Sequence, residues 1–249
     1  MKQFALIGHP VKGSISPRLF EAAYGGRYPY HLIDAPFPEA WERFLKDYKG
    51  INITAPYKQD AFRAVDVLSD GARDCGAVNL AVKADDGLLH GYNTDVDGIV
   101  GAVRETGFQP QNTLVIGAGG AAMAAVVAAK QLGSKTITIA NRTYKKAAAL
   151  AAAHNLEAVP LEDIGTLKPD FVVYTIPGGS PVISGLTWDL LGGAVVLEAE
   201  YKHPSLSGVR CRHYISGKMW CLHQAVAGYR LFTGEDPDKE AMSRSIATY

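Results

Sequence analysis

The sequence of 249 residues is poor in cysteine, and Cys75, Cys211 and Cys221 form no C-x-x-C pair and leave an odd number. That argues against a disulfide framework or a zinc cluster and makes a reducing compartment, the cytoplasm, the expected home. Net charge is absent as well, Lys+Arg 25 standing against Asp+Glu 25. Without an excess of cations there is no broad surface for nucleic acid or a membrane, though a small basic pocket stays open. The seven histidines show no metal-ligand spacing of the H-E-x-x-H type, and no metal is expected. Long apolar runs are missing too. The apolar part of Met1 to Pro10 is too short for a signal peptide. An uncharged span from Phe108 to Ala129 approaches membrane-crossing length, but Gly117, Gly119 and Gly120 break it and alanine fills most of the rest. A strand, a glycine turn and a buried helix are expected there. With 47% hydrophobic and 20% charged residues, the chain has globular rather than disordered composition.

What the chain does have is alternation. Strand-like runs at 4–8, 30–34, 50–54, 77–82 and 88–92 are interleaved with helix-like runs at 17–24, 39–48 and 57–67. Trp41, Phe44, Leu45 and Tyr48 recur at helical spacing, and Ala84-Asp85-Asp86-Gly87 reads as a hairpin turn. A second series follows Gly107, with strands at 113–116, 135–140, 170–175 and 194–198 and helices at 121–132 and 144–154. Two more helices are expected at 219–233 and 238–247. This alternation predicts an α/β fold with a largely parallel sheet. No repeat or long linker separates the two series, so a continuous helix is expected near Asp97 to Val103.

The segment Thr113-Leu114-Val115-Ile116-Gly117-Ala118-Gly119-Gly120-Ala121-Ala122 fits strand, G-x-G-x-x-A, helix. Glycines there permit a tight turn and close backbone approach, and the helix start offers free N–H groups to a pyrophosphate. Alone, the pattern suits a plain structural turn equally well. Support comes from the end of the next strand, where NAD-binding folds carry an acid. This chain has Asn141-Arg142-Thr143 there, with Lys145 and Lys146 behind. A carboxylate would repel a 2′-phosphate, whereas a guanidinium binds it through paired hydrogen bonds, so NADP is expected over NAD.

The first series carries a different cluster. Ser14-Ile15-Ser16-Pro17 offers alternate hydroxyls that could converge on an anion or cap a helix. Asn52-Ile53-Thr54-Ala55-Pro56-Tyr57-Lys58 points Asn52 and Thr54 the same way and delivers Lys58 to a helix start, where a cation is electrostatically out of place. Asn79 stands in an apolar strand and needs hydrogen-bond partners if buried. Asp95, in Tyr92-Asn93-Thr94-Asp95, is either a functional carboxylate or an N-cap. Cys75 reads as a small buried hydrophobe.

Taken in order, Ser14-x-Ser16-Pro17, Asn52-x-Thr54-x-Pro56-x-Lys58, Gly76-Ala77-Val78-Asn79, Asn93-Thr94-Asp95-x-x-Gly98, Gly117-x-Gly119-Gly120-Ala121, Asn141-Arg142-Thr143 and Gln224-Ala225 resemble the shikimate dehydrogenase family. The resemblance spans nearly the whole chain, in a compact form. It implies two α/β domains around a cleft. One, over 1–98 and completed by helices at 225–249, would bind shikimate; the other, a Rossmann-type doubly wound domain over 99–224, would bind NADP. The implied reaction is reduction of 3-dehydroshikimate by NADPH to shikimate, on the route to chorismate and the aromatic amino acids. By this resemblance Ser14 and Ser16 would take the substrate carboxylate. Asn52, Thr54, Asn79, Asp95 and Gln224 would read the ring oxygens, Lys58 would sit at the reacting one, and Tyr201 would lie near the substrate. Gly117, Ala118, Gly119, Gly120, Ala121, Asn141, Arg142, Thr143 and Lys146 would bind the cofactor.

Some positions depart from the family pattern. Gly13 replaces a usual histidine, Phe20-Glu21 a His-Asn pair, Leu80 the threonine after Asn79, and Glu198 an aspartate. Tyr174 to Gly178 diverges from the N-A-T-S-x-G loop, and Ser205-Leu206 stands for Thr-Pro-Leu. The alternatives are a quinate/shikimate dehydrogenase using NAD(P) and a non-catalytic binder of NADP or shikimate. Ser16 and Arg142 speak against the first, and the retained Lys58 and Asp95 against the second. Trp188, Trp220 and the tyrosines leave apolar surface enough for a homodimer.

Overall fold

A computed structural model describes residues 2–178 and 188–249, the side chains of Trp188 and Asp189 excepted. The chain divides into two compact units, one made of Met1–Gly98 with Leu222–Tyr249, the other of Ile99–Cys221.

In the first unit β1 (Phe4–Gly8) is buried at all five residues, the signature of a strand covered on both faces. It runs parallel to its two neighbours, β2 (Tyr30–Asp34) and β3 (Gly50–Ile53). Beyond β3 come β5 (Leu80–Lys83), β6 (Leu89–Tyr92) and the short β4 (Val67–Leu68), giving the order β2-β1-β3-β5-β6-β4. The β5–β6 hairpin turns at the expected Asp-Gly pair, where Asp86 Oδ1 accepts from Leu88 N at 2.9 Å.

Four helices connect these strands: α1 (Ser16–Tyr24), α2 (Phe37–Asp47), α3 (Lys58–Ala64) and α4 (Asp70–Cys75). Two depart from the sequence expectation. The helix expected over 57–67 stops at Ala64, because Val67 and Leu68 leave it to pair with His90 and Gly91 of β6. Helix α4 is too short to show periodicity and is started by Ser69 Oγ, which accepts from Ala72 N at 3.2 Å. On α2, Ala40, Trp41 and Phe44 form the buried stripe, while Leu45 is 45% exposed.

Helix α5 (Thr94–Arg104) is continuous through the stretch where one was expected. The second unit then builds a six-stranded sheet from β7 (Asn112–Ile116), β8 (Thr136–Asn141), β9 (Glu157–Pro160), β10 (Phe171–Tyr174), β11 (Val195–Glu198) and β12 (His213–Ile215). All pairings are parallel, in the order β12-β11-β10-β7-β8-β9, the doubly wound arrangement that switches direction between β7 and β10. Edge strands β9 and β12 gave no sequence signal, being three or four residues long with no alternation. Helix α6 (Gly120–Gln131) buries Ala122 and every residue from Ala124 to Ala129, which accounts for the uncharged span. It is followed by α7 (Tyr144–His154), a 3-10 turn over Leu161–Thr166 and α8 (Trp188–Leu191). Among the described residues no helix is long and apolar enough to cross a membrane.

From Leu222 onward, α9 (Gly217–Thr233) and α10 (Lys239–Ala247) belong to the first unit. They complete an aromatic core there. The buried Phe20 ring lies 5.3 Å from Phe4, 4.8 Å from Tyr30 and 4.8 Å from Tyr229, and Phe4 stacks on Phe232 at 4.9 Å. Phe20 thus joins α1, β1, β2 and α9. Phe20→Ala is expected to destabilise the protein by about 3–5 kcal/mol, through lost burial and the cavity left behind. Urea unfolding followed by circular dichroism measures it.

Candidate functional site

Lys58 occupies the first position of α3, after Tyr57 as N-cap. The partial positive charge of a helix start repels a cation there. The structure supplies the compensation: Lys58 Nζ donates to Asp95 Oδ2 at 2.6 Å. Asp95 lies in the first turn of α5, where a carboxylate is favoured by that same dipole. The two side chains are 28% and 17% exposed, so the pair is partly withdrawn from water yet reachable. Asp95 does not cap its helix. That task falls to Asn93, whose Oδ1 accepts from Asp95 N at 3.2 Å while its Nδ2 donates to Ala77 O at 3.1 Å.

Around the pair, the predicted residues are tied into two small networks. Buried Asn79 accepts at Oδ1 from Thr94 N (2.8 Å) and from Thr94 Oγ1 (3.3 Å), and Thr94 Oγ1 lies 3.3 Å from Gln224 Oε1 on α9. These bonds leave Asn79 Nδ2 as its donor end. The second network starts from the aromatic core. Tyr30 donates its hydroxyl to Asn52 Oδ1 at 2.7 Å, and Tyr229 donates to Ser16 O at 3.1 Å. Ser14 and Ser16 sit together, Ser14 Oγ accepting from Ser16 N at 3.2 Å and donating to Ser16 Oγ at 3.1 Å. Ile15 is the N-cap of α1, with no side-chain capping bond. Thr54 follows β3 half-buried, its N–H bonded to Ile7 O at 3.0 Å.

Asn93 and Thr94 were visible in sequence only as part of a motif, and Tyr30 and Tyr229 not at all, since a tyrosine in a strand or helix reads as core. Cys75 is buried beside the site. Burial first, then the carboxylates of Asp95 and Asp74, push its thiol up to about 12 against the opposing Lys58 ammonium, so it stays a neutral hydrophobe.

The second unit presents the glycine turn between β7 and α6. Gly117 has φ +126°, donates to Ala140 O at 2.8 Å, and has no room for a Cβ, which would fall 2.0 Å from Thr175 Oγ1. Gly119 and Gly120 are different. A Cβ on either would meet nothing within 4 Å, so this chain's own packing does not require glycine there. Gly119 is the N-cap of α6, no side chain caps it, and the first turn holds no acid. An open cradle of backbone N–H groups fits a pyrophosphate. Ala118 lies within the turn and Ala121 in the first turn of the helix. At the end of β8, Asn141 Nδ2 donates to Thr143 O at 3.0 Å, and Arg142, Thr143, Lys145 and Lys146 are exposed at the start of α7. The first turn of α7 likewise has no acid, so helix dipole and side chains present the same sign to an anion. These donors fit a dinucleotide carrying an additional phosphate.

Two glutamates organise the segment after β11. Buried Glu198 accepts from Ser205 N (2.6 Å), Leu206 N (3.0 Å) and the Tyr214 hydroxyl (2.7 Å). Glu200 accepts from Lys202 N at 2.7 Å, Gly178 N at 3.2 Å and His203 N at 3.3 Å, holding the divergent Tyr174–Gly178 segment to the stretch that carries Tyr201. Tyr201 is half-buried in this unit, its ring 6.0 Å from Lys202 Nζ. Among the described residues no group of three or more His, Cys, Asp or Glu could hold a metal ion.

Two family models match the chain. One, described as the shikimate dehydrogenase substrate binding domain, matches residues 6–81; the other, described as shikimate / quinate 5-dehydrogenase, matches residues 102–184. The chain is 33% identical over 270 residues to the shikimate dehydrogenase (NADP(+)) of Alteromonas mediterranea, covering 99% of this chain and 96% of that protein. It is similar to the solved shikimate dehydrogenase of Mycobacterium tuberculosis, with a TM-score of 0.88 at 29% identity and 100% of each chain covered. It is also similar to the shikimate 5-dehydrogenase of Thermus thermophilus, solved in complex with NADP(H) and shikimate. There the TM-score is 0.84 at 29% identity, covering 100% of this chain and 99% of that one.

Glu200 yields a pH prediction. Its burial raises the carboxyl, but the backbone N–H groups of Lys202, Gly178 and His203 outweigh that and hold it below the usual glutamate range. The unfolded chain therefore takes up the proton first as pH falls below about 4.3, and the stabilisation present at neutral pH fades as pH drops through the depressed value. Urea unfolding between pH 6 and pH 3 is expected to show a steeper loss for the wild type than for Glu200→Gln.

Proposed function

The chain belongs to the shikimate dehydrogenase family, and we propose that it catalyses the NADPH-dependent reduction of 3-dehydroshikimate to shikimate, in aromatic amino acid biosynthesis. The observation that carries this reading is the ion pair of Lys58 and Asp95, at 2.6 Å. A carbonyl that gains a hydride builds negative charge on oxygen, which needs a proton or a fixed cation within about 3 Å. NADPH, when bound, supplies the hydride. Lys58 supplies the rest: its ammonium gives a proton to the oxygen as C=O becomes C–OH, and its partial exposure lets solvent restore that proton. Asp95 holds Nζ in place and accepts from a substrate hydroxyl through its other lone pairs.

The first unit takes the substrate. Ser14 and Ser16 bind the carboxylate, while Asn52, Thr54, Asn79 and Gln224 read ring oxygens. The preset orientation of Asn52 by Tyr30, and of Asn79 by Thr94, supports those roles. Tyr201 contributes near the substrate. The second unit takes the cofactor, with Gly117, Ala118, Gly119, Gly120 and Ala121 at the pyrophosphate and Asn141, Arg142, Thr143 and Lys146 at the 2′-phosphate. Three free cysteines suit a reducing cytoplasm.

Steady-state kinetics with shikimate and quinate, each paired with NADP and NAD, test the reading. Shikimate with NADP is the expected best pair; tight binding without NADPH formation would make the chain a non-catalytic binder. Lys58→Ala is expected to lower kcat by about 10²–10⁴-fold with a much smaller change in the shikimate KM. A loss confined to KM would make Lys58 a binding residue only. Arg142→Ala should raise the KM for NADP by about tenfold or more and leave that for NAD nearly unchanged.

A further inference from the structure

Gly228 lies inside α9, one turn beyond Gln224 and on the same helix face. Glycine in a helix interior is disfavoured relative to alanine, so its presence asks for a reason in packing. The surroundings provide one. A Cβ on Gly228 would lie 2.7 Å from Leu80 Cδ1, 3.6 Å from Thr94 Oγ1 and 3.7 Å from Thr94 Cγ2. Leu80 is fully buried, so its far methyl has packed neighbours rather than solvent to move into, and interiors at that density transmit displacement. Of these only the approach to Leu80 is too close, the Thr94 distances being ordinary van der Waals contact. Leu80 directly follows Asn79, and Thr94 connects Asn79 Oδ1 with Gln224 Oε1. Leucine at this place is itself a departure from the threonine of the family pattern.

We propose that Leu80 and Gly228 are a size-matched pair of positioning residues. The missing side chain at 228 lets α9 come close enough to β5 for Gln224 to reach Thr94, and so to present its amide to the shikimate ring. The pair acts through Gln224 and Asn79 and touches no substrate atom. The inference rests on the proposed substrate-binding role of Gln224.

The test compares the wild type, Gly228→Ala and the double variant Leu80→Val with Gly228→Ala, using shikimate titration calorimetry and steady-state kinetics. Displacing a group that binds ground state and transition state alike changes KM and leaves kcat. Gly228→Ala is therefore expected to weaken shikimate binding and raise its KM by roughly tenfold, with kcat and the NADP KM within about twofold. Shortening the leucine removes the collision, so the double variant is expected to return to within about twofold or threefold of the wild type. A Gly228→Ala protein that binds shikimate as tightly as the wild type overturns the proposal, and so does a loss that the double variant fails to repair. A wild type that binds no shikimate overturns the proposed function and this inference with it, which separates the two failures.

Discussion

A lysine at the positive end of one helix is disfavoured by the dipole there, and the aspartate that the same effect favours at the start of another helix supplies the compensating charge. Lys58 and Asp95 come from α3 and α5, 37 residues apart in the chain, and meet at 2.6 Å. Much of the local architecture serves that meeting. The β5–β6 hairpin carries the chain from beside β3 out and back, and Asn93 fixes the backbone of Asp95 as α5 begins. Lys58 is itself held from its carbonyl, which accepts from Val78 N at 2.9 Å. Ammonium and carboxylate are thus set by main-chain bonds on both sides, and only their tips remain to react.

The same economy governs the uncharged polar residues nearby. A buried amide is costly unless its oxygen and nitrogen find partners. Asn52 and Asn79 each have the oxygen taken by a protein donor, which fixes the direction in which the amide nitrogen points. Those donors are held in turn by deeper packing, Tyr30 by the aromatic core around Phe20 and Thr94 by complete burial at the start of α5. Side-chain orientation and stability are therefore not separable in this unit. Tyr30, which packs in the aromatic core against Tyr229 of α9, also sets the amide of Asn52.

The chain as a whole carries no net charge, yet charge is unevenly placed in its second unit. Two helix starts, α6 and α7, carry no acid in their first turns, and basic side chains gather only at the second. The glycine turn leaves one helix start uncapped by any side chain, and a small patch of exposed cations stands at the other. Where a carboxylate is buried here, at Glu198, three donors satisfy it. Local placement, rather than composition, makes the difference between a charge left exposed and a charge that braces the fold.

Much of this was legible in the sequence. Alternating strand and helix patterns announced an α/β fold, because side-chain periodicity is a local property of the backbone. The glycine turn after β7 and the exposed Arg142-Thr143 segment after β8 were readable because each is made of consecutive residues at one strand end. Edge strands β9 and β12, the pairing of Val67 and Leu68 with β6, and the exposure of Leu45 were not, since each depends on a neighbour distant in the chain. By itself the sequence determined which residue types could do chemistry and on which element each would ride. Tertiary structure alone decided their partners: Tyr30 with Asn52, Thr94 with Gln224, and the fit of Leu80 against a bare glycine. The physical reason is that periodicity acts over a few residues, whereas hydrogen bonds and van der Waals contacts are decided at a few ångströms, by chains that arrive from anywhere in the sequence.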